Sequence, residues 1–322
     1  MEARYIIITA LLVAAIVAVC GCTTVTPTAS PATPTPAAQY PMTVMDYYGR
    51  TATIDKAPER IVSLSAANTE LLFDLGLGSK IVGVDDYSDY PAEAKAITKV
   101  SGFAEVSYEK ITAVDPDVIF AEDIVGEEAV TRLREMGFPV VEVKNSNLTM
   151  IRKSIELFGR VTDTSANATA LIDKIDREIA AINAKTAGLN ESQKPNVLLL
   201  TGFLISSPQI YPYGSGTYGD ELLTLTGCKN AAGDVLGYQV MSNEAIIKAD
   251  PDYIVIPVDG VMCTMDDYNY FKNGNETWMK SLTAVKNGKV FWVDGNLFLR
   301  PGPRTPQAGL DLARIVHPEL FP

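Results

Sequence analysis

Two segments of this chain read almost alike: Glu109-Lys-Ile-Thr-Ala-Val-Asp-Pro-Asp-Val-Ile119 and Glu244-Ala-Ile-Ile-Lys-Ala-Asp-Pro-Asp-Tyr-Ile254. Each begins with an acid and an apolar pattern of helical spacing. Each stops at Asp-Pro-Asp, because proline is compatible neither with a helix interior nor with a helical residue before it. Each then continues as a short apolar run typical of a buried strand. The repeat predicts two similar α/β units with a glutamate at matching places, although two unrelated units could share Asp-Pro-Asp by chance.

The rest of the body alternates between strand patterns and helix patterns. A hairpin is predicted over residues 42–54, and strands and helices then alternate towards the end of the chain. Such alternation predicts mainly parallel sheets covered by helices. Between the two units, the pattern predicts a helix that would span roughly 30 Å and act as a rigid spacer. The predicted domains are an N-terminal lobe over 42–163, an inter-lobe helix over 164–187 and a C-terminal lobe over 188–322.

Residues 1–22 are predicted to be a lipoprotein signal peptide. Tyr5 to Val19 is an apolar run with the length of the hydrophobic part of a signal peptide. It is shorter than the roughly 20 apolar residues that a membrane-spanning helix needs. The run ends in Val19-Cys-Gly-Cys22, which resembles a lipobox, so we expect a lipid on Cys22. A cleaved secretory signal with a spare cysteine is the alternative.

Residues 23–41 are predicted to be a tether. They are almost entirely Thr, Pro, Ala and Ser, a composition that favours an extended polyproline II spacer of about 3.1 Å per residue. Together with the lipid on Cys22, this segment predicts an extracytoplasmic protein that is anchored to the outer face of the cell membrane.

The composition argues against several functions. A net charge of −12 would be repelled by phosphate backbones, so nucleic acid is not an expected partner. The single histidine, His317, is interpreted as a helix-terminal residue, and one histidine excludes a His-rich metal site and disfavours a catalytic triad. Outside the predicted signal peptide there are two cysteines, Cys228 and Cys263, whose spacing allows either a disulfide or two free thiols.

Three further stretches resemble a known family: Ser63-Leu-Ser-Ala-Ala-Asn-Thr-Glu-Leu71, Val82-Gly-Val-Asp-Asp-Tyr-Ser-Asp-Tyr-Pro91 and Arg300-Pro-Gly-Pro-Arg304. They are similar to the metal-chelate substrate-binding proteins, which are the vitamin B12 and ferric-siderophore receptors of ABC importers. The similarity covers residues 42–322 and is greatest to the vitamin B12-binding members. It implies a monomeric binding protein without enzymatic activity. It also implies two Rossmann-like lobes joined by one long helix, with the ligand in the cleft between them.

The resemblance also gives the repeated glutamates a role. In this family a glutamate on each lobe docks onto arginines of the permease, and by position these are Glu109 and Glu244. Two exposed carboxylates at a fixed separation can select both the partner and its register. Because a single long helix resists the large closure that flexible linking strands allow, we expect ligand binding to move the lobes little.

The family cleft positions predict the residues that hold the ligand. A bulky chelate needs aromatic walls and a few polar anchors. The matching positions are Tyr87, Phe103, Tyr213 and Tyr238 as walls and Arg300 as an anchor. Each aromatic residue could instead belong to the core.

Two positions depart from the pattern of the vitamin B12-binding members. Glu122 stands where those proteins have an aromatic wall, and Leu299 stands where they have an acid. The expected ligand is therefore a metal chelate, with a corrinoid favoured and a ferric siderophore or haem next. The chelate is cargo, and no resident cofactor or metal is predicted.

Two other functions compete with this interpretation. Gly214-Ser-Gly-Thr-Tyr-Gly219 matches a dinucleotide-binding fingerprint. That motif must follow a strand directly, with an acid about 20 residues further on, and the sequence predicts neither. An oxyanion receptor could instead place its ligand on the helix that starts near Asn68, with Arg300 opposite.

Overall fold

The computed structural model describes residues 38–102 and 105–322, and all of these belong to one compact unit. Cys22 and Phe103 lie outside the described residues, so the predictions about them stay predictions. Of the predicted tether, residues 38–41 are described and are attached to the body. The Ala38 N–H donates to Asp163 Oδ1 (2.6 Å) and the Tyr40 hydroxyl donates to the Val161 carbonyl (2.8 Å).

The N-terminal lobe consists of an antiparallel hairpin and a parallel sheet of five strands in the order β5-β4-β3-β6-β7. Its elements are β1 (Met42–Met45), β2 (Thr51–Ile54), β3 (Ile61–Ser63), α1 (Ala66–Asp74), β4 (Ile81–Asp85), β5 (Lys99–Ser101), α2 (Tyr108–Ala113), β6 (Val118–Glu122), α3 (Glu127–Glu135), β7 (Val140–Val143) and α4 (Leu148–Val161). The chain passes from β3 to one side of the sheet and returns to the other side at β6. The boundary between these two strands is therefore the topological switch point, where α/β sheets bind ligands.

The C-terminal lobe repeats this plan after the long helix α5 (Ser165–Thr186). Its elements are β8 (Asn196–Leu204), β9 (Ser207–Pro212), α6 (Tyr218–Leu225), β10 (Lys229–Asn230), α7 (Asn243–Ala249), β11 (Tyr253–Val258), α8 (Met265–Lys272), α9 (Thr277–Ser281), α10 (Thr283–Lys286), β12 (Val290–Asp294), α11 (Gly295–Phe298) and α12 (Thr305–Val316). Four strands are parallel in the order β10-β8-β11-β12, and β9 pairs antiparallel with β8.

The predicted α/β architecture with two lobes, parallel sheets and one long connecting helix is confirmed. The apolar pattern of residues 278–285 is typical of one helix, but the structure has two, α9 and α10, because Leu282 between them is extended (φ −71°, ψ 138°). The expected position of His317 is confirmed, since it is the C-terminal cap of α12. In residues 38–102 and 105–322, no helix combines the length and the apolar character that crossing a membrane requires.

The glycine motif at residues 214–219 does follow a strand, β9, which the sequence did not reveal. That strand runs antiparallel to β8, so the motif does not open the parallel β-α-β unit that a dinucleotide fold needs. The glycines serve close packing instead. A Cβ on Gly214 would lie 2.2 Å from the Val235 carbonyl oxygen, and one on Gly219 would lie 2.2 Å from the Tyr213 ring.

Helix α5 packs against α4 of the N-terminal lobe and against α6 and α12 of the C-terminal lobe. Its buried apolar stripe consists of Leu171, Ile175, Ile179 and Ile182. This stripe belongs to one apolar cluster that also contains Phe158 of the first lobe and Leu312 of the second. Because the cluster is continuous through α5, the hydrophobic effect holds both lobes against the same helix.

Gly159 allows α4 and α5 to approach each other closely. A Cβ at this position would lie 2.5 Å from the Ala168 Cβ, so we expect Gly159→Ala to force the helices apart and lower the free energy of unfolding by about 1–3 kcal/mol. Gly188→Ala is the matched control, because a Cβ there meets no atom within 4 Å. Equal midpoints for the two variants in urea denaturation would contradict this packing.

Candidate ligand cleft and docking surface

The second aspartate of each Asp-Pro-Asp repeat fixes the sheet of its own lobe. Asp117 Oδ2 accepts hydrogen bonds from the backbone N–H groups of Glu59 (2.8 Å) and Arg60 (3.0 Å), just before β3. Asp252 Oδ2 accepts one from the Asn196 N–H (2.8 Å), at the start of β8. Asp117 therefore links β6 to the neighbouring strand β3, and Asp252 links β11 to the neighbouring strand β8. The same contact in both lobes gives the repeated sequence a structural reason.

The first aspartate of each repeat ends a helix. Asp115 and Asp250 have positive φ angles of 44° and 37°, a left-handed conformation that short polar side chains tolerate and that stops a helix. The two repeats thus have the same backbone path as well as similar sequences.

The repeated glutamates occupy equivalent positions. Glu109 and Glu244 are each the second residue of their helix, α2 and α7. Both helices are capped by a serine, Ser107 or Ser242, whose hydroxyl accepts a backbone N–H of the first turn. Both glutamates are exposed, and neither has an ion-pair or hydrogen-bond partner within the described part of the chain. They are therefore free to contact another molecule.

An ion pair joins the two lobes beside the cleft. The Arg304 guanidinium donates to both carboxylate oxygens of Glu70, with Nε–Oε2 and Nη2–Oε1 distances of 2.7 and 2.5 Å. It also lies over the Tyr90 ring, 4.1 Å from the centroid. Burial raises the pKa of Glu70, while Arg304 and Arg300 oppose that shift. The paired geometry favours the ionised carboxylate and a fixed relation between the lobes.

Arg300, the predicted ligand anchor, takes part in the same network. Its Nη1 donates to Asp89 Oδ1 (2.6 Å) in the first lobe, and its Nη2 donates to Asn296 Oδ1 (2.6 Å) in the second. The same Nη1 lies 3.7 Å from Glu70 Oε1. The structure therefore places Arg300 between the lobes, bound to a residue of each, and its role towards a ligand stays a prediction.

The predicted aromatic walls are not equally accessible. Tyr213 is only 4% exposed, and its hydroxyl donates to the Phe298 carbonyl (3.0 Å). Tyr238 is 50% exposed and packs edge-on against Tyr213, with 5.7 Å between ring centroids. Tyr87 is half-buried. The structure thus brings Tyr213 and Tyr238 together, with Tyr238 as the accessible face and Tyr213 behind it.

A further aromatic side chain, Tyr48, was missed by the sequence reasoning. It lies in the turn between β1 and β2 and is 42% exposed. Burial and the nearby Asp123 carboxylate raise the pKa of Tyr48 to about 12, and burial and Asp123 also raise the pKa of Tyr238. The Asp123 carboxylate thus acts in the same direction on two tyrosines, one from each lobe. The sequence signal that could have indicated Tyr48 is the pair of neighbouring aromatic residues, Tyr47 and Tyr48, in the turn of the predicted hairpin.

Glu122 is the most unusual residue at the carboxyl edge of the N-terminal sheet. It ends β6 at the topological switch point, is 9% exposed and accepts a hydrogen bond from the Ser65 hydroxyl (2.6 Å) at the start of α1. Burial raises its pKa to about 7, and hydrogen bonds from Ser65 and Asn145 only partly offset this. The carboxyl group therefore changes its charge near neutral pH.

Beside Glu122 lie two buried amides, Asn68 on α1 and Asn145 after β7. The Asn145 Nδ2 donates to Asn68 Oδ1 over a long 3.5 Å. The remaining polar atoms, Asn68 Nδ2 and Asn145 Oδ1, are buried and have no partner among the described residues. Orphaned polar groups of this kind are rare in folded proteins and often mark a functional site.

Other features of the described residues do not suggest a site. Two depressions of about 250 and 330 Å³ lie outside the inter-lobe cleft, one between the hairpin turn and α4 and one between α5 and α12. Within the described part of the chain, no three His, Cys, Asp or Glu side chains are grouped so that they could hold a metal ion.

Cys228 and Cys263 are both free thiols, which answers the question that their spacing left open.

The two lobes, the cleft at their carboxyl edges and the matched surface glutamates define a two-lobed binding protein. The profile of the periplasmic binding protein family matches residues 61–297, so the chain belongs to that family. Members of this family are the substrate-binding components of ABC importers, which bind small molecules and contact permease subunits, and they are not enzymes.

Relatives and a solved structure agree with this assignment. An uncharacterised ABC transporter substrate-binding lipoprotein of Bacillus subtilis is 32% identical over 286 residues, which cover 88% of this chain and 87% of the relative. A cobalamin-binding protein of Halobacterium salinarum is 27% identical over 287 residues, covering 87% of this chain and 75% of the relative. The crystal structure of a periplasmic haem-binding protein from Pseudomonas aeruginosa has 25% identity and a TM-score of 0.72, covering 81% of this chain and 93% of that one.

The raised pKa of Glu122 predicts how stability depends on pH. The folded state binds this proton more tightly than the unfolded chain, whose value is near 4.5. The resulting stabilisation is present in full below the unfolded pKa and is lost as the pH rises through the folded pKa of about 7. We therefore expect the free energy of unfolding of Glu122→Gln, relative to the wild type, to rise between pH 4.5 and 7 by at most about 3 kcal/mol. Denaturant titrations at several pH values measure this difference, and a constant difference would contradict the assignment.

Proposed function

We propose that this protein captures a corrinoid, such as vitamin B12, in the cleft between its lobes and delivers it to an ABC permease through Glu109 and Glu244. The observation that carries the docking role is the equivalence of the two glutamates. Each is the second residue of a serine-capped helix, each is exposed, and each is free of partners in the described part of the chain. A pair of such carboxylates, one on each lobe, is suited to meet a pair of arginines.

The relatives and the cleft support a corrinoid as the ligand. The Halobacterium relative is named for cobalamin, and the half-exposed ring of Tyr238 offers a surface for a large, mostly apolar macrocycle. A ferric siderophore or haem is the next candidate. The chelate is the cargo, and the protein itself needs no resident cofactor.

An oxyanion receptor is the second candidate, and two contacts count against it. The start of α1, where the anion would bind, is already next to the Glu122 carboxyl group, which accepts the Ser65 hydroxyl. Arg300, which would face the anion, is bound to Asp89. A small anion would have to displace two carboxylates of the protein.

The docking role predicts a specific transport defect. We expect Glu109→Ala or Glu244→Ala to reduce transport at least about tenfold while ligand affinity stays unchanged, because each removes one of two charged contacts with the permease. Replacement by lysine should be worse, since it adds repulsion, and the double alanine variant should lose most transport.

Glu128→Ala is the matched control for the docking experiment. Glu128 is also the exposed second residue of a helix, α3, and has no partner in the described residues. Uptake of radiolabelled cyanocobalamin by cells with the cognate permease should be normal in this variant. Weaker binding of cyanocobalamin to isolated Glu109→Ala protein would place Glu109 in the cleft and refute its docking role.

The ligand itself can be identified by absorbance. Protein purified from its native host should carry visible absorption bands, because corrinoids, haem and ferric siderophores all absorb visible light and their spectra differ. A colourless protein that binds molybdate in calorimetry, and does not bind cyanocobalamin, would favour the oxyanion receptor.

We also infer that the mature protein is a lipoprotein attached to the membrane through Cys22. This residue lies outside the described residues, and the inference rests on the lipobox-like Val19-Cys-Gly-Cys22 and on the name of the Bacillus relative. Mass spectrometry of the mature N-terminal peptide should find an acylated Cys22, and an unmodified N-terminus elsewhere would refute the anchor.

A further inference from the structure

The carboxyl ends of three neighbouring strands in the N-terminal lobe form a buried polar cluster. Ser65 follows β3, Glu122 ends β6 and Asn145 follows β7, while Asn68 lies in the first turn of α1. All four side chains are nine-tenths or more buried. The cluster lies at the switch point of the sheet, on the edge where α/β proteins bind ligands.

The two orphaned atoms of the cluster have complementary chemistry. Asn68 Nδ2 is a donor without an acceptor, and Asn145 Oδ1 is an acceptor without a donor. The two side chains are neighbours, since Asn145 Nδ2 and Asn68 Oδ1 are 3.5 Å apart. A primary carboxamide has one carbonyl oxygen and one NH₂ group, so it can satisfy both atoms at once.

A carboxylate cannot replace the carboxamide in this place. It has no hydrogen to donate to Asn145 Oδ1. It would also lie beside the carboxyl group of Glu122 and near Asp123. The charge of Asp123 is only weakly paired, because its Oδ2 lies 3.5 Å from the Lys144 Nζ. Like charges in a buried site repel strongly, so the cluster disfavours anionic ligands at pH values above about 7, where Glu122 is ionised.

We propose that Asn68, Asn145 and Glu122 form a carboxamide-recognition site at the floor of the cleft, which selects ligands with primary amide side chains over ligands with carboxylates. The proposal rests on the proposed function, because it concerns the ligand that the cleft holds. It explains the departure at Glu122, where a polar side chain replaces the aromatic wall of the vitamin B12-binding members. A corrinoid offers several primary amides around its ring, whereas haem offers two carboxylates.

The test compares two corrinoids with the same corrin ring. Dicyanocobinamide carries primary amides, and dicyanocobyrinic acid carries carboxylates in their place. In calorimetry with the detergent-solubilised full chain, we expect the wild type to bind the amide form at least about tenfold more tightly, which corresponds to a lost hydrogen bond and an unpaired buried group. Asn68→Leu and Asn145→Leu should remove most of this preference by weakening the amide form alone.

Glu122→Gln is a second, isosteric variant that can still accept the Ser65 hydroxyl. It should strengthen binding of dicyanocobyrinic acid several-fold, because it removes a negative charge, so the preference for the amide form should narrow. Asn269→Leu, an exposed position on α8, is the control for the asparagine substitutions and should bind both corrinoids as the wild type does. Melting temperatures report whether each variant is folded.

The outcomes separate the two proposals. Equal affinity of the wild type for the amide and acid forms would overturn the carboxamide site, while corrinoid capture would stand. Binding of haemin with no binding of either corrinoid would overturn the proposed function itself. An unchanged preference in folded Asn68→Leu and Asn145→Leu would show that the discrimination lies elsewhere and would also overturn the site.

Discussion

The bidentate ion pair between Glu70 and Arg304 ties the two lobes together beside the cleft. It crosses from α1 to the start of α12, far apart in sequence, and Glu70 is 2% exposed. Removing one partner of such a buried pair typically costs about 3–5 kcal/mol, because the other charge is left unpaired. A second contact between the lobes supports the pair, since Glu221 on α6 accepts the Leu148 N–H at the start of α4 (2.6 Å).

These ties and α5 together fix the relation between the lobes. The apolar stripe of α5 packs against both lobes through one continuous cluster, so an opening motion would have to separate charged groups as well as apolar surface. The positions of Glu109 and Glu244 relative to each other follow from this frame. A permease that contacts both glutamates would therefore bind the two lobes as one rigid body. Ligand recognition then depends on individual side chains at the cleft.

The sequence predicted the features that local patterns determine. The Asp-Pro-Asp repeats gave the helix ends and the positions of both glutamates, and the apolar spacing gave α5, because helix periodicity and proline act over a few residues. Strand β9 was missed, since two prolines in Ser207-Pro-Gln-Ile-Tyr-Pro212 hide its strand pattern. The contacts of Glu70, Arg300 and Glu122 could not be predicted, because their partners are far away in the chain. The same holds for the burial of Tyr213, which depends on how α6 packs.

The lobes keep a fixed relation to each other, so the two glutamates keep a fixed separation. Spin labels at Lys110→Cys and Lys248→Cys, next to the glutamates on α2 and α7, measure this separation in a chain with Cys228 and Cys263 replaced by serine. We expect saturation with cyanocobalamin to change the mean distance between the labels, measured by pulsed electron paramagnetic resonance, by less than about 2 Å. A change of about 5 Å or more, as in hinge closure, would contradict it.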